Sequence, residues 1–270
     1  MKRNDAIKLL ILSILTILVY IPTIDWMIDR WNATDTYYSH GILVPFISIF
    51  IIWQMRQRLS KIKIKPSNLG WVFFISGIAI HLVSALWRIY FSSGFSIILV
   101  LVGLVLLFLG KKHLRLLMFP ILFLIFMIPL PLVAIAHMSF RLKIFVANTS
   151  TNIAKNLGIE AVREGSIIKT ANSYVIVEDP CSGIRSLFAL IALGALMTYF
   201  SNISKIKKAI LFSSSIPIAI SSNVIRVTGL LLASEIYGPK LATGLFHDVM
   251  GVLVFVFAFA GLSLVAKVLE

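Results

Sequence analysis

A chain of 270 residues that is 59% hydrophobic and 13% charged, with mean hydropathy +0.97, is not a soluble globular protein, which would carry about a quarter charged residues. Its formal charge of +14 could suggest nucleic acid. The basic residues instead sit in short clusters between apolar runs, the pattern of membrane topology and anionic headgroups, so membrane lipids and no nucleic acid are expected as partners. The single cysteine excludes an intramolecular disulfide.

Met1 to Lys8 is short and basic and leads into an apolar run from about Leu9 to Ile24. The pairing resembles a signal peptide, but no small-residue cleavage site follows, so a retained first helix is expected. Later apolar runs cover about Gly41–Met55, Leu69–Trp87, Phe95–Gly110, Leu114–Val133, Ile184–Ser201, Ala209–Ala233 and Val249–Lys267. A span needs about 20 residues, or about 17 at the short end. Two runs are short on that measure, so eight spans are expected and seven stay open.

The basic residues test the count independently. With the N-terminus in the cytoplasm, the inside segments hold Lys2, Arg3 and Lys8, the five basic residues between Arg56 and Lys65, Lys111, Lys112 and Arg115, Lys205, Lys207 and Lys208, and Lys267. Nine of the eleven acids (Asp25, Asp29, Asp35, Glu160, Glu164, Glu178, Asp179, Glu235, Asp248) fall outside. Every short basic loop lands on one side, as the positive-inside rule requires. The expected fold is therefore an all-α integral membrane protein, a polytopic bundle of about eight transmembrane helices in one domain spanning 1–270. Both termini face the cytoplasm.

An extracytoplasmic insert at about 134–180 interrupts the bundle. Pro129 and Pro131 end the fifth span. His137 to Leu157 spaces Phe140, Ile144, Ala147, Ala154 and Leu157 at helical intervals, as in a helix lying at the interface, and Gly158 would cap it. Ala161–Thr170 and Ser173–Val177 read as two β-prone runs around Ala171-Asn172, a small β-hairpin before the sixth span. The hairpin leads into Asp179-Pro180-Cys181, where Asp179 suits a helix N-cap and Pro180 the first helical position. Cys181 would then face unpaired N–H groups and the positive end of the helix dipole, a setting that favours the nucleophilic thiolate.

Taken alone, a lone cysteine packs as a small buried apolar residue. The topology gives it company. Arg226 lies 17 residues along the seventh span, about 26 Å at 1.5 Å per residue and close to the outer boundary of a hydrocarbon core about 30 Å thick. Asn223 precedes it at i,i+3 on the same helix face. His247 opens the eighth span at the same side. Arg226 as a snorkelling anchor and His247 as an idle interfacial residue are the plainer alternatives. His81 and His113 are expected to be structural. With no paired cysteine, HExxH, Walker loop or GxSxG elbow, no metal and no cofactor are expected. Cysteine, histidine and arginine together suit acyl transfer: the thiolate attacks a carbonyl, the imidazole moves the proton, and the cation stabilises the oxyanion.

These residues also resemble the exosortase/archaeosortase family of membrane transpeptidases. CSGIRSL (Cys181–Leu187) is similar to its cysteine box, NVIRV (Asn223–Val227) to its arginine box and HDVMG (His247–Gly251) to its histidine box. YSHGILVP (Tyr38–Pro45) and FPILFLIFMIPLP (Phe119–Pro131) resemble two flanking family segments. The resemblance implies a cysteine protease or transpeptidase acting on exported proteins that end in a short motif such as Pro-Glu-Pro, a transmembrane helix and a basic cluster. Cleavage passes through a thioester, and a lipid or glycan amine accepts the product. Cys181 would be the nucleophile, His247 the acid/base and Arg226 the stabiliser, with the residue that activates the thiol left open between the last two. Tyr38, Ser39, His40, Arg185 and Asn223 are candidates for substrate binding or support of the site. The competing readings are a transporter or flippase for an anionic envelope precursor, and an inert scaffold.

Overall fold

The computed structural model describes residues 3–33, 36–177, 183–238 and 245–270, with side chains left out at 3–6, 245, 247 and 248. The chain divides into two compact units, Met1–Pro131 and Leu132–Glu270. It is an all-α multi-pass membrane protein with one small antiparallel sheet.

The first unit contains α1 (Arg3–Asn32), a 3-10 turn at Ser39–Ile42, α2 (Leu43–Gln54), α3 (Arg56–Ser60), α4 (Leu69–Leu86), α5 (Tyr90–Phe108), α6 (Lys111–Phe123) and a second 3-10 turn at Leu124–Met127. Its helices pack as membrane helices do, with close backbone approach and hydroxyl bonds beside an apolar cluster around Tyr20, Val100 and Leu104. A Cβ on Gly77 would come within 2.9 Å of the Val100 nitrogen, and one on Gly103 within 2.6 Å of the Phe74 nitrogen. α4 and α5 therefore meet backbone to backbone. Beside that seam runs a buried polar chain. Tyr20 Oη lies 2.6 Å from Ser96 Oγ, Thr23 Oγ1 2.6 Å from Ser93 Oγ, and His81 Nδ1 2.7 Å from the same Ser93 hydroxyl. His81 is thus structural, and so is His113, whose Nδ1 lies 3.0 Å from the Leu109 carbonyl.

The second unit contains α7 (Leu132–Asn156), β1 (Ala161–Glu164), β2 (Ile167–Thr170), β3 (Tyr174–Ile176), α8 (Ile184–Phe200), α9 (Lys205–Tyr237) and α10 (Leu245–Leu269). α7 starts directly after Pro131. It ends as Gly158 predicts: the Gly158 N–H donates to the Lys155 carbonyl and the Ile159 N–H to Ala154, a Schellman closure with Gly158 at φ +86.

The insert differs from the expected two-stranded hairpin. The run Ala161–Thr170 folds back on itself at Gly165-Ser166, with Gly165 at φ +62, and gives two strands in place of one. A two-residue turn needs a positive φ at its first position, and glycine supplies it. The result is a three-stranded sheet in the order β1-β2-β3. Its inner face (Ala161, Ile168, Val175, Val177) closes a core with Val146, Ala147 and Ala154 of α7 and Val224, Val227 and Leu231 of α9.

α9 is the axis of this unit, packed against α7, α8 and α10. Residues 224, 227 and 231 turn one side of it to the sheet. Ala219 on another side joins Leu187 and Leu190 of α8 and Val254 and Ala258 of α10. Gly194 lets α8 close on α9, since a Cβ there would sit 2.7 Å from that of Ser215.

Seven of the eight apolar runs each fall on one helix, whereas the fifth, Leu114–Val133, is broken across α6, the turn at Leu124–Met127 and the start of α7. Among the described residues five helices, not eight, are long and apolar enough to cross a membrane: Ile7–Asn32, Leu69–Leu86, Tyr90–Phe108, Lys205–Tyr237 and Val249–Leu269. A sixth candidate is a broken pair, Lys111–Met127 with Leu132–Asn156, and the helices Ser39–Gln54 and Ile184–Phe200 are shorter.

Candidate active site

The site is built outward from α9. Asn223 and Arg226 are three residues apart, so one helix face presents both. Asn223 is 1% exposed and Arg226 9%. A guanidinium that deep loses much of its hydration and is tolerated only in a polar setting, which in membrane proteins marks function more often than packing.

Each of the two touches a different neighbour. Gly183 of the cysteine box has φ +82, and a Cβ there would overlap the Asn223 carboxamide and lie 2.9 Å from the Asn223 Cβ. Asn223 therefore rests on bare backbone two residues past Cys181. On the other side, a Cβ on Gly251 would lie 3.6 Å from Arg226 Nη2 and 3.9 Å from its Cζ. The Arg226 guanidinium thus lies over the α10 backbone one helical turn after His247. The histidine and that glycine, at i,i+4, share one face of α10.

Of the expected residues, Cys181 lies outside the described residues, as do Asp179 and Pro180. His247 has a described backbone, in the first turn of α10, but no described side chain. The expected helix start is corrected. α8 begins at Ile184 with Gly183 as its cap, and its first bond runs from the Leu187 N–H to the Gly183 carbonyl, 2.8 Å. The reason is local: Gly183 is left-handed at φ +82, and no helix runs through such a residue. Arg185 sits half-buried in the first turn of α8, and its Nε has no hydrogen-bond partner among the described residues.

Tyr38, Ser39 and His40 belong to the first unit. Tyr38 is buried, and its hydroxyl accepts from the Leu130 N–H at 3.2 Å. Burial pushes its phenol up to about 12, partly offset by that amide. His40 stacks on it with ring centroids 5.8 Å apart, while Ser39 is exposed. Close by, Trp31 Nε1 donates to the Met127 carbonyl at 2.8 Å, and a Cβ on Gly41 would overlap the Trp31 ring. The segments around Tyr38 and Leu130, far apart in sequence, therefore meet.

Sequence reasoning passed over Gly183, Gly251 and Trp31. The two glycines stand inside the quoted boxes, where a residue without a side chain between reactive ones signals close backbone approach. Among the described residues there is no group of three or more His, Cys, Asp or Glu that could hold a metal ion.

These features define a multi-pass helical membrane protein with a buried polar cluster where three of its helices meet. A family model described as transmembrane exosortase (Exosortase_EpsH) matches residues 31–264, and the chain belongs to that family. Membership supports a transpeptidase type of function in the membrane. Neither the curated proteins nor the solved structures yield a match.

Proposed function

We propose that this protein is a membrane cysteine transpeptidase that removes C-terminal sorting tails from exported proteins, with Cys181 as nucleophile and Arg226 and His247 as its partners. The observation that carries the reading is that one face of α9 looks onto both segments that bear the other two residues. Asn223 meets Gly183, and the Arg226 guanidinium lies a methyl's breadth from Gly251, one turn from His247. Two residues of chain reach at most about 7 Å, so the Asn223–Gly183 contact limits how far Cys181 can stray.

In the first step the Cys181 thiolate attacks the scissile carbonyl, and the negative charge on its oxygen faces the planar guanidinium of Arg226. The C–N bond then breaks. The tail leaves as an amine that takes its proton from His247, and the protein remains on sulfur as a thioester. An amine of a lipid or glycan acceptor attacks that thioester and gives its proton to His247, the C–S bond breaks, and the thiolate is restored. The basic loops support an inner-membrane protein with both termini in the cytoplasm and this chemistry on the opposite face.

The test is processing of a co-expressed exported protein carrying a motif, a transmembrane helix and a basic cluster. Cys181→Ala and Cys181→Ser should insert normally and process nothing. Arg226→Ala should lose about 10²–10³ in kcat, the usual cost of one oxyanion stabiliser. Arg226→Lys should lose much of that too, since a flexible ammonium replaces a planar fork. An alanine variant at Cys181 that still processes would end this reading.

A further inference from the structure

Among the described residues, the sheet that precedes the cysteine box has an unpaired edge. The Val177 N–H donates to the Ser166 carbonyl (3.0 Å) and the Thr170 N–H to Ser173 (2.9 Å). In this register the pairs 166/177, 168/175 and 170/173 exchange the ladder bonds. Antiparallel alternation then turns the N–H and C=O of Tyr174 and Ile176 away from β2. β3 is the last strand of the sheet, and among the described residues these backbone groups bond to nothing else.

The side chains tell the same story. Tyr174 is 54% exposed and Ile176 39%. With Ile167 and Lys169 they line an open recess of about 560 Å³ that runs on to the turn at Thr170–Ser173. Among the described residues Lys169 is the only charged one in that lining. Its ion pair with Glu164, 2.6 Å long and about half exposed on both sides, marks this face as wet rather than lipid-covered. The chain then runs from Ile176 to Cys181 in five residues.

We propose that the free edge of β3 receives an extended segment of the protein substrate as an added strand, with alternate side chains in the recess. The inference rests on the reading of Cys181 as nucleophile. A free strand edge is matched by a peptide backbone, and pairing of this kind gives affinity through the main chain and specificity through alternate side chains. A lipid offers no such ladder. A second copy pairing through a three-residue strand would bury far less than the ~1,600 Å² of a standard interface. A substrate tethered in the same membrane needs little affinity, because tethering raises its effective concentration.

Proline at an outward-facing position removes only the outward N–H and leaves the bonds to β2 intact. In full-length protein with the tail-bearing substrate described above, Tyr174→Pro and Ile176→Pro should each raise KM about tenfold, the usual net worth of one or two hydrogen bonds. Their kcat should stay within about twofold, and maleimide labelling of Cys181 should be unchanged. If proline disturbs that labelling, a second measurement decides. With Ile176→Cys in a Cys181→Ala background, disulfides should form to cysteines at every second position of the substrate segment, following the two-residue period of a strand. Wild-type KM in the proline variants overturns the proposal, as do crosslinks without that period or crosslinks between two copies. Each of these leaves the enzyme reading intact if Cys181→Ala is dead, whereas a Cys181→Ala variant that processes removes that reading whatever the edge does.

Discussion

Gly183→Ala tests the contact on which the site depends. Holding alanine at φ +82 costs about 1–2 kcal/mol. The new methyl would also overlap the carboxamide of Asn223, which is 1% exposed and cannot swing into solvent, and overpacking of that kind costs about 1–3 kcal/mol. The single variant should therefore lose roughly 2–5 kcal/mol. Asn223→Ala should lose about 1–3 kcal/mol through its buried partners. The double variant is the informative one. Removing the carboxamide relieves the clash except at Cβ, 2.9 Å away, so the pair should cost about 1–3 kcal/mol less than the two singles added together. Reversible unfolding in mixed micelles, followed by circular dichroism, measures all four corners of the cycle. Processing by the same four proteins should track the geometry rather than the stability. A displacement of about 1 Å in the cysteine loop is enough for a loss near 100-fold. Strict additivity, within about 0.5 kcal/mol, would show that Gly183 and Asn223 do not touch and would remove the main support for placing Cys181 beside α9.

Gly251 behaves differently from Gly183. It is helical, and a Cβ there meets Arg226 at an ordinary 3.6 Å, so Gly251→Ala should keep processing within a few-fold and gain up to about 1 kcal/mol from helix propensity. Gly251→Leu should displace the guanidinium and cut kcat by about 10–100-fold, read from initial rates of substrate processing. In the first unit, His81→Phe removes the bond to Ser93. It should cost about 1 kcal/mol, the scale of side-chain bonds between membrane helices. Processing kcat should be unchanged.

Apolar runs bounded by charge placed the helices because lipid leaves a backbone few other choices. The Schellman closure at Gly158 and the shared face of Asn223 and Arg226 were legible for a similar reason, since each depends on a few neighbouring residues. What escaped were features set by contact between distant residues. Gly165 in the run Ala161–Thr170 reads equally as a weak point in one strand or a turn between two, and only the core shared with α7 and α9 decides. The sequence around Asp179 and Pro180 carries the local signals of a helix start. Yet α8 is capped at Gly183, left-handed at φ +82, where a side chain would overlap Asn223, forty residues on. Likewise nothing near Ser93 announces that it bonds both Thr23 and His81.

Three separate duties therefore fall on the second half of α9. One side carries Val224, Val227 and Leu231 into the sheet core. Another presents Asn223 to the cysteine box and Arg226 to α10. Near the end, Glu235 accepts from the Asn172 side chain at 3.0 Å and from its backbone N–H at 3.3 Å, which fastens the β2–β3 turn to the same helix. A shift of α9 along its axis would move the arginine, the Gly183 backbone and the edge of β3 together. A transporter needs the opposite, since alternating access requires groups around its substrate to change partners as one part rocks against another. Here Asn223 bears on the backbone of Gly183, a contact with no side chain to swing aside, and such a contact suits a part held in one geometry.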